Sequence, residues 1–168
     1  MIFKTFIPGA PLFIAIFMLL VVSGCATHSD TVVGPPLVDE PILKVQSELL
    51  SYYKDWHATP HRLGGNTRRG LDCSAFVKNA YQSVFEMQLP RTTVGQSELG
   101  EMIKKSAVLP GDLVFFKISR RVRHVGIVIN DNQFMHVSEK KGVMLSALDN
   151  VYWRKKYWKA VRPDNGLH

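Results

Sequence analysis

A cysteine in the segment RGLDCSAFV, residues 69–77, stands in a setting that favours chemistry. Asp72 is a residue type preferred at a helix N-cap, and the apolar residues after it recur at helical spacing. Cys73 is therefore predicted in the first helical turn, where unpaired amides and the helix dipole supply partial positive charge. Such a position favours a thiolate over a thiol, so the sequence predicts Cys73 as a nucleophile with a lowered pKa.

Two histidines lie on predicted strands that form a hairpin farther along the chain. The strands cover Val122–Ile129 and Gln133–Ser138. If the loop between them has three residues, with Asn132 in the left-handed conformation, the strand register places His124 and His136 on one face. A two-residue loop would place them on opposite faces instead.

On the face that holds both histidines, Gly126 is expected to pair with His136 and contributes no side chain. We expect the N-terminus of the Cys73 helix to pack over this glycine. Cys73 would then attack a carbonyl carbon, His124 would serve as general base and general acid, and His136 would orient the imidazole of His124.

The elements that must carry these residues form an α+β domain with an antiparallel sheet, since the predicted helices precede the predicted strands. Apolar residues at helical spacing indicate the core-facing side of the first helix. The predicted helices cover residues 42–57, 72–85 and, as a short segment, 92–104. The predicted strands are Leu113–Phe116, Val122–Ile129, Gln133–Ser138, Gly142–Ala147 and Trp158–Arg162.

The first 24 residues have the features of an export signal. Lys4 precedes an apolar run over residues 12–22, and small residues follow the run. The run is shorter than the roughly 20 residues that a membrane-spanning helix needs, although an uncleaved membrane anchor stays open as an alternative.

The sequence VSGC at the end of this signal resembles the lipobox of bacterial lipoproteins. That resemblance implies lipidation of Cys25, and Ala26 in place of an aspartate implies the outer membrane rather than the inner one. Acyl chains contribute about 0.8 kcal/mol per buried methylene, so a lipidated Cys25 would hold the protein on the membrane surface, facing the periplasm. Cys73 would then be the only free thiol, and an unpaired cysteine in an oxidising compartment indicates reactivity.

Shifts in composition divide the chain into four segments. Residues 1–24 are the predicted signal peptide, and residues 25–41, rich in proline and without apolar periodicity, are the lipidated cysteine and its tether. Residues 42–163 have the length of one domain, and residues 164–168 form a short tail. The formal net charge of +7 suits an acidic substrate or an anionic surface.

The predicted domain contains a series of segments in a fixed order. They read TPHRLGGNTRRGLDCSAFV, LPRTT, LPGDLVFF, RHVGIVI, NQFMHVS and GVMLSALDNVYW, followed by a basic tail. Together they resemble the NlpC family of papain-like cell-wall cysteine peptidases. The resemblance implies a papain-like α+β fold, in which the catalytic cysteine begins a helix that packs on an antiparallel sheet of about five strands. It also implies that Cys73, His124 and His136 are the catalytic residues.

The same resemblance implies the reaction and its substrate. Peptidoglycan stem peptides would be hydrolysed through an acyl-enzyme on Cys73, at a D-glutamyl–diaminopimelate or a D-alanyl–diaminopimelate bond. The backbone N–H of Cys73 and a second donor, His61, would meet the oxyanion, and Asp72 and Ser74 are further candidates for substrate contact. His61 stands where the family commonly has tyrosine, and an exposed loop histidine without a role is the open alternative.

The carboxylates of a stem peptide would need basic partners. Taken singly, a solvated surface charge is the preferred interpretation of each basic candidate. The candidates are Arg62, Arg68, Arg69 and Arg91.

Other functions stay open on the sequence alone. Zinc could be ligated by Cys73, His124 and His136 with Asp72 or water, although no metal-ligand spacing supports it. The domain could bind peptidoglycan without catalysis, or act as an acyltransferase through the same acyl-enzyme. Residues 150–162 mix aromatic and basic side chains, as nucleic-acid sites do, but a strand with one buried aromatic face is the preferred interpretation. No metal, cofactor or nucleic acid is predicted, and protein partners are unknown.

Overall fold

The computed structural model describes residues 40–164; the predicted signal peptide, Cys25, nearly all of the tether and the end of the tail lie outside them. Helices α1–α4 cover Glu40–Trp56, Cys73–Val84, Thr93–Gln96 and Val151–Lys156. Strands β1–β8 cover Asn66–Thr67, Gly70–Leu71, Glu101–Ile103, Leu113–Lys117, Arg123–Val128, Gln133–Ser138, Gly142–Ala147 and Tyr157–Arg162. None of the helices in this part of the chain has the length and apolar character needed to cross a membrane.

Six strands form one antiparallel sheet in the order β3-β8-β4-β5-β6-β7, and β1 and β2 form a small separate hairpin. On one face, the apolar stripes of α1 and α2 meet buried side chains such as Val125 and Ile127 of β5. The opposite face carries a second apolar cluster that includes Phe116, Val128 and Phe134. Since strand side chains alternate between faces, both faces of the sheet are buried, and the predicted α+β class is confirmed.

The sheet has six strands where the sequence predicts about five. The additional strand, β3, lies in the segment predicted as a helix over residues 92–104. Helix α3 spans only four residues, and Gly100 follows at φ +59°, where an added Cβ would lie 1.8 Å from the carbonyl oxygen of Arg162. This close approach directs the chain into β3, which pairs with β8.

The segment from Asn150 to Arg162 forms a helix and then a strand, so the prediction of a strand with one aromatic face is wrong for its first half. Oδ1 of Asn150 accepts a hydrogen bond from the backbone N–H of Tyr152 at 2.9 Å and caps α4. Helix α4 thereby places Trp153 on the sheet face that carries the second apolar cluster.

The hairpin of β5 and β6 has the predicted register. Ile127 pairs with Met135, and a three-residue loop connects the strands. The predicted left-handed conformation of Asn132 is wrong, since the non-glycine residues with positive φ within residues 40–164 are Ala58 and Glu86. Oδ1 of Asn130 stabilises the loop instead, because it accepts from the backbone N–H of Asn132 at 3.0 Å.

Candidate active site

Cys73 is the first residue of α2, as predicted. Asp72 caps this helix, since its Oδ1 accepts from the backbone N–H of Ala75 at 2.8 Å. The thiol is half-buried, lies 3.7 Å from Oγ1 of Thr93, and is also met by the backbone N–H of Val125. Because Val125 directly follows His124 in β5, the beginning of α2 and the histidine strand meet at the thiol.

Burial raises the pKa of the Cys73 thiol above its ordinary value, because the charged form loses hydration. The hydroxyl of Thr93 and the backbone N–H of Val125 lower this pKa, and the charge of Asp72 raises it. Burial outweighs the groups that favour the thiolate, so the lowered pKa predicted from the helix position is wrong. The resting cysteine is a neutral thiol, and its attack on a carbonyl needs a base.

The predicted contact residues Asp72 and Ser74 are held in an internal network. Arg91 donates to both carboxylate oxygens of Asp72, at 2.9 and 2.8 Å, and to Oγ of Ser74 at 3.0 Å. Ser74 donates in turn to Asp72 at 3.0 Å, and the two residues are only 8% and 6% exposed. These side chains therefore hold the beginning of α2 in place. Arg91 is engaged in this network, and its predicted role as a partner for substrate carboxylates stays a prediction.

The other three candidate arginines differ in their surroundings. The guanidinium of Arg68 lies 4.7 Å from the ring centroid of Trp56 and donates to the carbonyl oxygen of Asp55. Arg62 and Arg69 are exposed. A role for these two in binding substrate carboxylates stays a prediction.

His124 and His136 face each other across β5 and β6. Nε2 of His124 lies 3.0 Å from Nδ1 of His136, and Nε2 of His136 lies 2.9 Å from Oγ of Ser146 on β7. The two strands pair at Ile127 with Met135 and at Val128 with Phe134. The histidines lie farther from the hairpin loop than these pairs, where the strands separate. The sequence does not single out Ser146, whose only signal is its place on the predicted strand Gly142–Ala147.

The space over Gly126 is filled by the ring of Phe134. A Cβ added at Gly126 would lie 2.5 Å from Cδ2 of Phe134 and 2.8 Å from the carbonyl oxygen of Met135. Helix α2 packs on the opposite face of the sheet, against Val125 and Ile127. The expectation that α2 packs over Gly126 is therefore wrong, and the glycine instead admits an aromatic ring beside the histidines.

The indole of Trp153 covers the histidine pair. It stacks on the imidazole of His124, with ring centroids 5.2 Å apart and planes 22° apart, and meets His136 edge-on at 4.9 Å. A cavity of about 610 Å³ opens beside these rings, with Lys140 and Lys141 on its wall. The sequence does not predict the contact with Trp153, because α4 stands where a strand is predicted.

Burial lowers the pKa of both histidines. The pKa of His124 falls well below its ordinary value, and the neighbouring His136 and His61 lower it further. The pKa of His136 falls to about 4, again because of burial. Both imidazoles are therefore neutral near pH 7, the state in which His124 can accept a proton.

His61 lies beside the beginning of α2 and is half-buried. It forms a parallel β-bridge with Leu71, the residue before the N-cap Asp72. It is also one of the neighbours that lower the pKa of His124. The structure thus brings His61 to the site, and its contact with an oxyanion stays a prediction.

A thiol at a helix N-terminus, next to a strand whose histidine is hydrogen-bonded to a second polar side chain, defines the class of papain-like cysteine hydrolases. Between residues 40 and 164, no three His, Cys, Asp or Glu side chains converge in a way that could hold a metal ion.

The chain belongs to the NlpC/P60 family, whose sequence profile matches residues 58–162. It is 46% identical over 145 residues to the probable endopeptidase NlpC of Escherichia coli, covering 85% of this chain and 93% of the relative. It is 42% identical over 118 residues to the murein DD-endopeptidase MepS/murein LD-carboxypeptidase of the same organism, covering 70% of this chain and 63% of the relative. A solved NlpC/P60 family protein from Bacillus cereus matches with a TM-score of 0.63 at 26% identity, covering 70% of this chain and 39% of the other. The predicted family and papain-like fold are thereby confirmed.

Proposed function

We propose that this protein is a peptidoglycan endopeptidase that hydrolyses an amide bond through an acyl-enzyme on Cys73. The observation that carries the proposal is the thiol at the beginning of α2, next to the strand whose His124 is hydrogen-bonded to His136. Two relatives named as endopeptidases, one of them a murein DD-endopeptidase, support peptidoglycan as the substrate. The name of the second relative, a murein DD-endopeptidase, favours the D-alanyl–diaminopimelate cross-link over the D-glutamyl–diaminopimelate bond as the bond that this protein cuts.

Catalysis begins with a proton transfer. Neutral His124 accepts the Sγ proton of Cys73 as the sulfur attacks the carbonyl carbon of the scissile amide. His136 accepts a hydrogen bond from the resulting imidazolium and stabilises its charge. The backbone N–H of Cys73, at the N-terminus of α2, donates to the developing oxyanion, and His61 supplies the second donor.

Collapse of the tetrahedral intermediate breaks the C–N bond. His124 gives its proton to the leaving amine, and the acyl group stays on Cys73 as a thioester. A water molecule that gives a proton to His124 then hydrolyses the thioester and restores the thiol. An acyltransferase would transfer the same acyl group to an amine, so the two activities yield products of different mass.

Digestion of purified muropeptides by the wild-type protein and by Cys73→Ala tests the proposal. Mass spectrometry is expected to detect a fragment from the wild type, whose mass identifies the bond that is cut, and no fragment from the variant. If neither protein cuts monomeric or cross-linked muropeptides while both bind peptidoglycan sacculi, the endopeptidase proposal fails and non-catalytic binding replaces it.

A lipid anchor is the second part of the proposal. We propose that residues 1–24 are removed, that Cys25 is acylated, and that the following tether holds the domain against the outer membrane, facing the periplasm. The support is the short apolar run, the VSGC sequence and Ala26. Helix α1 begins at Glu40, so we place the beginning of the domain two residues before residue 42.

Metabolic labelling with palmitate checks this anchor. Wild-type protein is expected to incorporate the label and to fractionate with outer membranes, whereas Cys25→Ser is expected to do neither. A wild-type protein that takes up no label would contradict the anchor without affecting the proposed chemistry at Cys73.

A further inference from the structure

The hydroxyl of Ser146 extends the polar chain that begins at the two histidines. Its Oγ lies 2.9 Å from Nε2 of His136, whose Nδ1 lies 3.0 Å from Nε2 of His124. The pairing of β6 with β7 sets this geometry, because Phe134 pairs with Ser146 and His136 pairs with Met144. The main chain therefore holds Ser146 diagonally opposite His136 on the same face of the sheet.

This chain of three side chains admits two arrangements of protons. In the first, Nε2–H of His124 donates to Nδ1 of His136, and Nε2–H of His136 donates to Ser146. In the second, Ser146 donates to Nε2 of His136, and Nδ1–H of His136 donates to Nε2 of His124, whose own proton then sits on Nδ1. Only the first arrangement leaves Nδ1 of His124 unprotonated and able to accept the proton of Cys73.

We propose that Ser146 is a positioning residue that accepts the Nε2–H of His136 and thereby sets the tautomers of both histidines for catalysis. His136 is 1% exposed, so its Nε2–H would be destabilised there without an acceptor. The proposal rests on the proposed catalytic roles of Cys73 and His124.

The proton transfer itself also requires this arrangement. The bond from Sγ of Cys73 to its hydrogen breaks, and a new N–H bond forms at Nδ1 of His124. The imidazolium then carries hydrogens on both nitrogens, and its Nε2–H donates to the lone pair on Nδ1 of His136. With His136 in the other tautomer, two N–H groups would face each other across 3.0 Å.

A matched pair of variants isolates the hydroxyl. Ser146→Thr keeps it, whereas Ser146→Val has the shape of the threonine without it, and both β-branched residues suit a strand. Nitrogen-15 NMR of the protein labelled at histidine reads the tautomers without any substrate. Wild type and Ser146→Thr are expected to show a protonated Nε2 and an unprotonated Nδ1 on His136, and Ser146→Val is expected to populate the Nδ1–H form.

Muropeptide kinetics give the second readout. Ser146→Val is expected to lower kcat about tenfold to a hundredfold relative to Ser146→Thr, with similar KM and similar thermal midpoints. A wild-type His136 protonated on Nδ1, or two variants with the same tautomer and the same kcat, would overturn the proposal. The NMR measurement needs no turnover, so it tests Ser146 separately from the proposed function. If the tautomer of His136 depends on the hydroxyl but the protein cuts no muropeptide, the effect of Ser146 is upheld and only the proposed function fails.

Discussion

The thiol of Cys73 lies where two effects oppose each other. A helix N-terminus stabilises a thiolate, whereas removal from water destabilises it, and burial raises the pKa of this thiol above its ordinary value. Burial also lowers the pKa of His124. Both shifts favour a neutral thiol and a neutral imidazole, which agrees with the proposed role of His124 as a general base during the attack.

The pH dependence of alkylation checks this state of Cys73. The midpoint of its reaction with iodoacetamide is expected above that of a free thiol, since the thiolate is the reacting form. Thr93→Val removes a hydroxyl that lowers the pKa of the thiol, so it is expected to raise the midpoint further. The urea-unfolded protein serves as the control, with an expected midpoint of about 8.5. A native midpoint below the unfolded one would show that the helix terminus dominates.

At the scale of secondary-structure elements, β5 and β6 depend on the absence of a side chain at Gly126. Gly126→Ala would place its Cβ 2.5 Å from the ring of Phe134 and 2.8 Å from a backbone oxygen. We expect this overpacking to lower the free energy of unfolding by about 1–3 kcal/mol, as measured by urea denaturation. Combining it with Phe134→Leu, which shortens the crowded side chain, is expected to destabilise less than the sum of the two changes. If the losses in the free energy of unfolding from the two substitutions simply add, the proposed steric clash between residue 126 and the ring of Phe134 is contradicted.

Elements with strong local signals could be predicted from the sequence. Asp72 marks the beginning of α2, and the bounds of β6 and β7 are predicted correctly, because alternating apolar residues and turn residues delimit them. Elements that form only through pairing with distant segments of the chain could not be predicted from the sequence. Strand β3 is short and largely exposed, and it exists because it pairs with β8 at the other end of the chain. Helix α4 has aromatic residues that also suit a strand.

The residues of the candidate site also fall into those that local sequence signals predict and those that depend on distant contacts. Cys73, His124 and His136 could be proposed from residue types, spacing and family resemblance. Thr93 and Trp153 reach the site through contacts between segments that are far apart in sequence, which no local pattern encodes. Ser146 could have been predicted as a neighbour of His136 if the register between β6 and β7 had been known. Both strands are predicted from the sequence, and their register places Ser146 beside His136.

In the whole molecule, the site draws residues from both buried layers, one on each face of the sheet. Cys73 packs against the apolar cluster on the helix side of the sheet, whereas Trp153 packs against the cluster on the opposite side. The histidines lie on the same face of the sheet as Trp153, beyond the paired part of β5 and β6. The geometry of the site therefore depends on the packing of the entire domain.

The buried histidines also make the stability of the domain depend on pH. An unfolded histidine has a pKa of about 6.5, whereas the pKa of His136 is about 4 in the folded protein. Between these values the unfolded state binds more protons, so the free energy of unfolding falls as the pH falls from about 6.5 toward 4. The lowered pKa of His136 corresponds to a loss of about 3 kcal/mol in the free energy of unfolding over this pH range. The lowered pKa of His124 changes the stability in the same direction.

Urea denaturation from about pH 7.5 down to about pH 4.5 measures this dependence. His136→Gln is expected to be less stable near neutral pH, because it breaks the hydrogen bonds to His124 and Ser146, but to lose less stability on acidification than the wild type. His57→Gln, at an exposed position, is the matched control and is expected to keep the wild-type slope. A wild-type free energy of unfolding that stays constant over this range, or an equal slope in His136→Gln, would contradict the contribution of the buried His136 imidazole to this dependence.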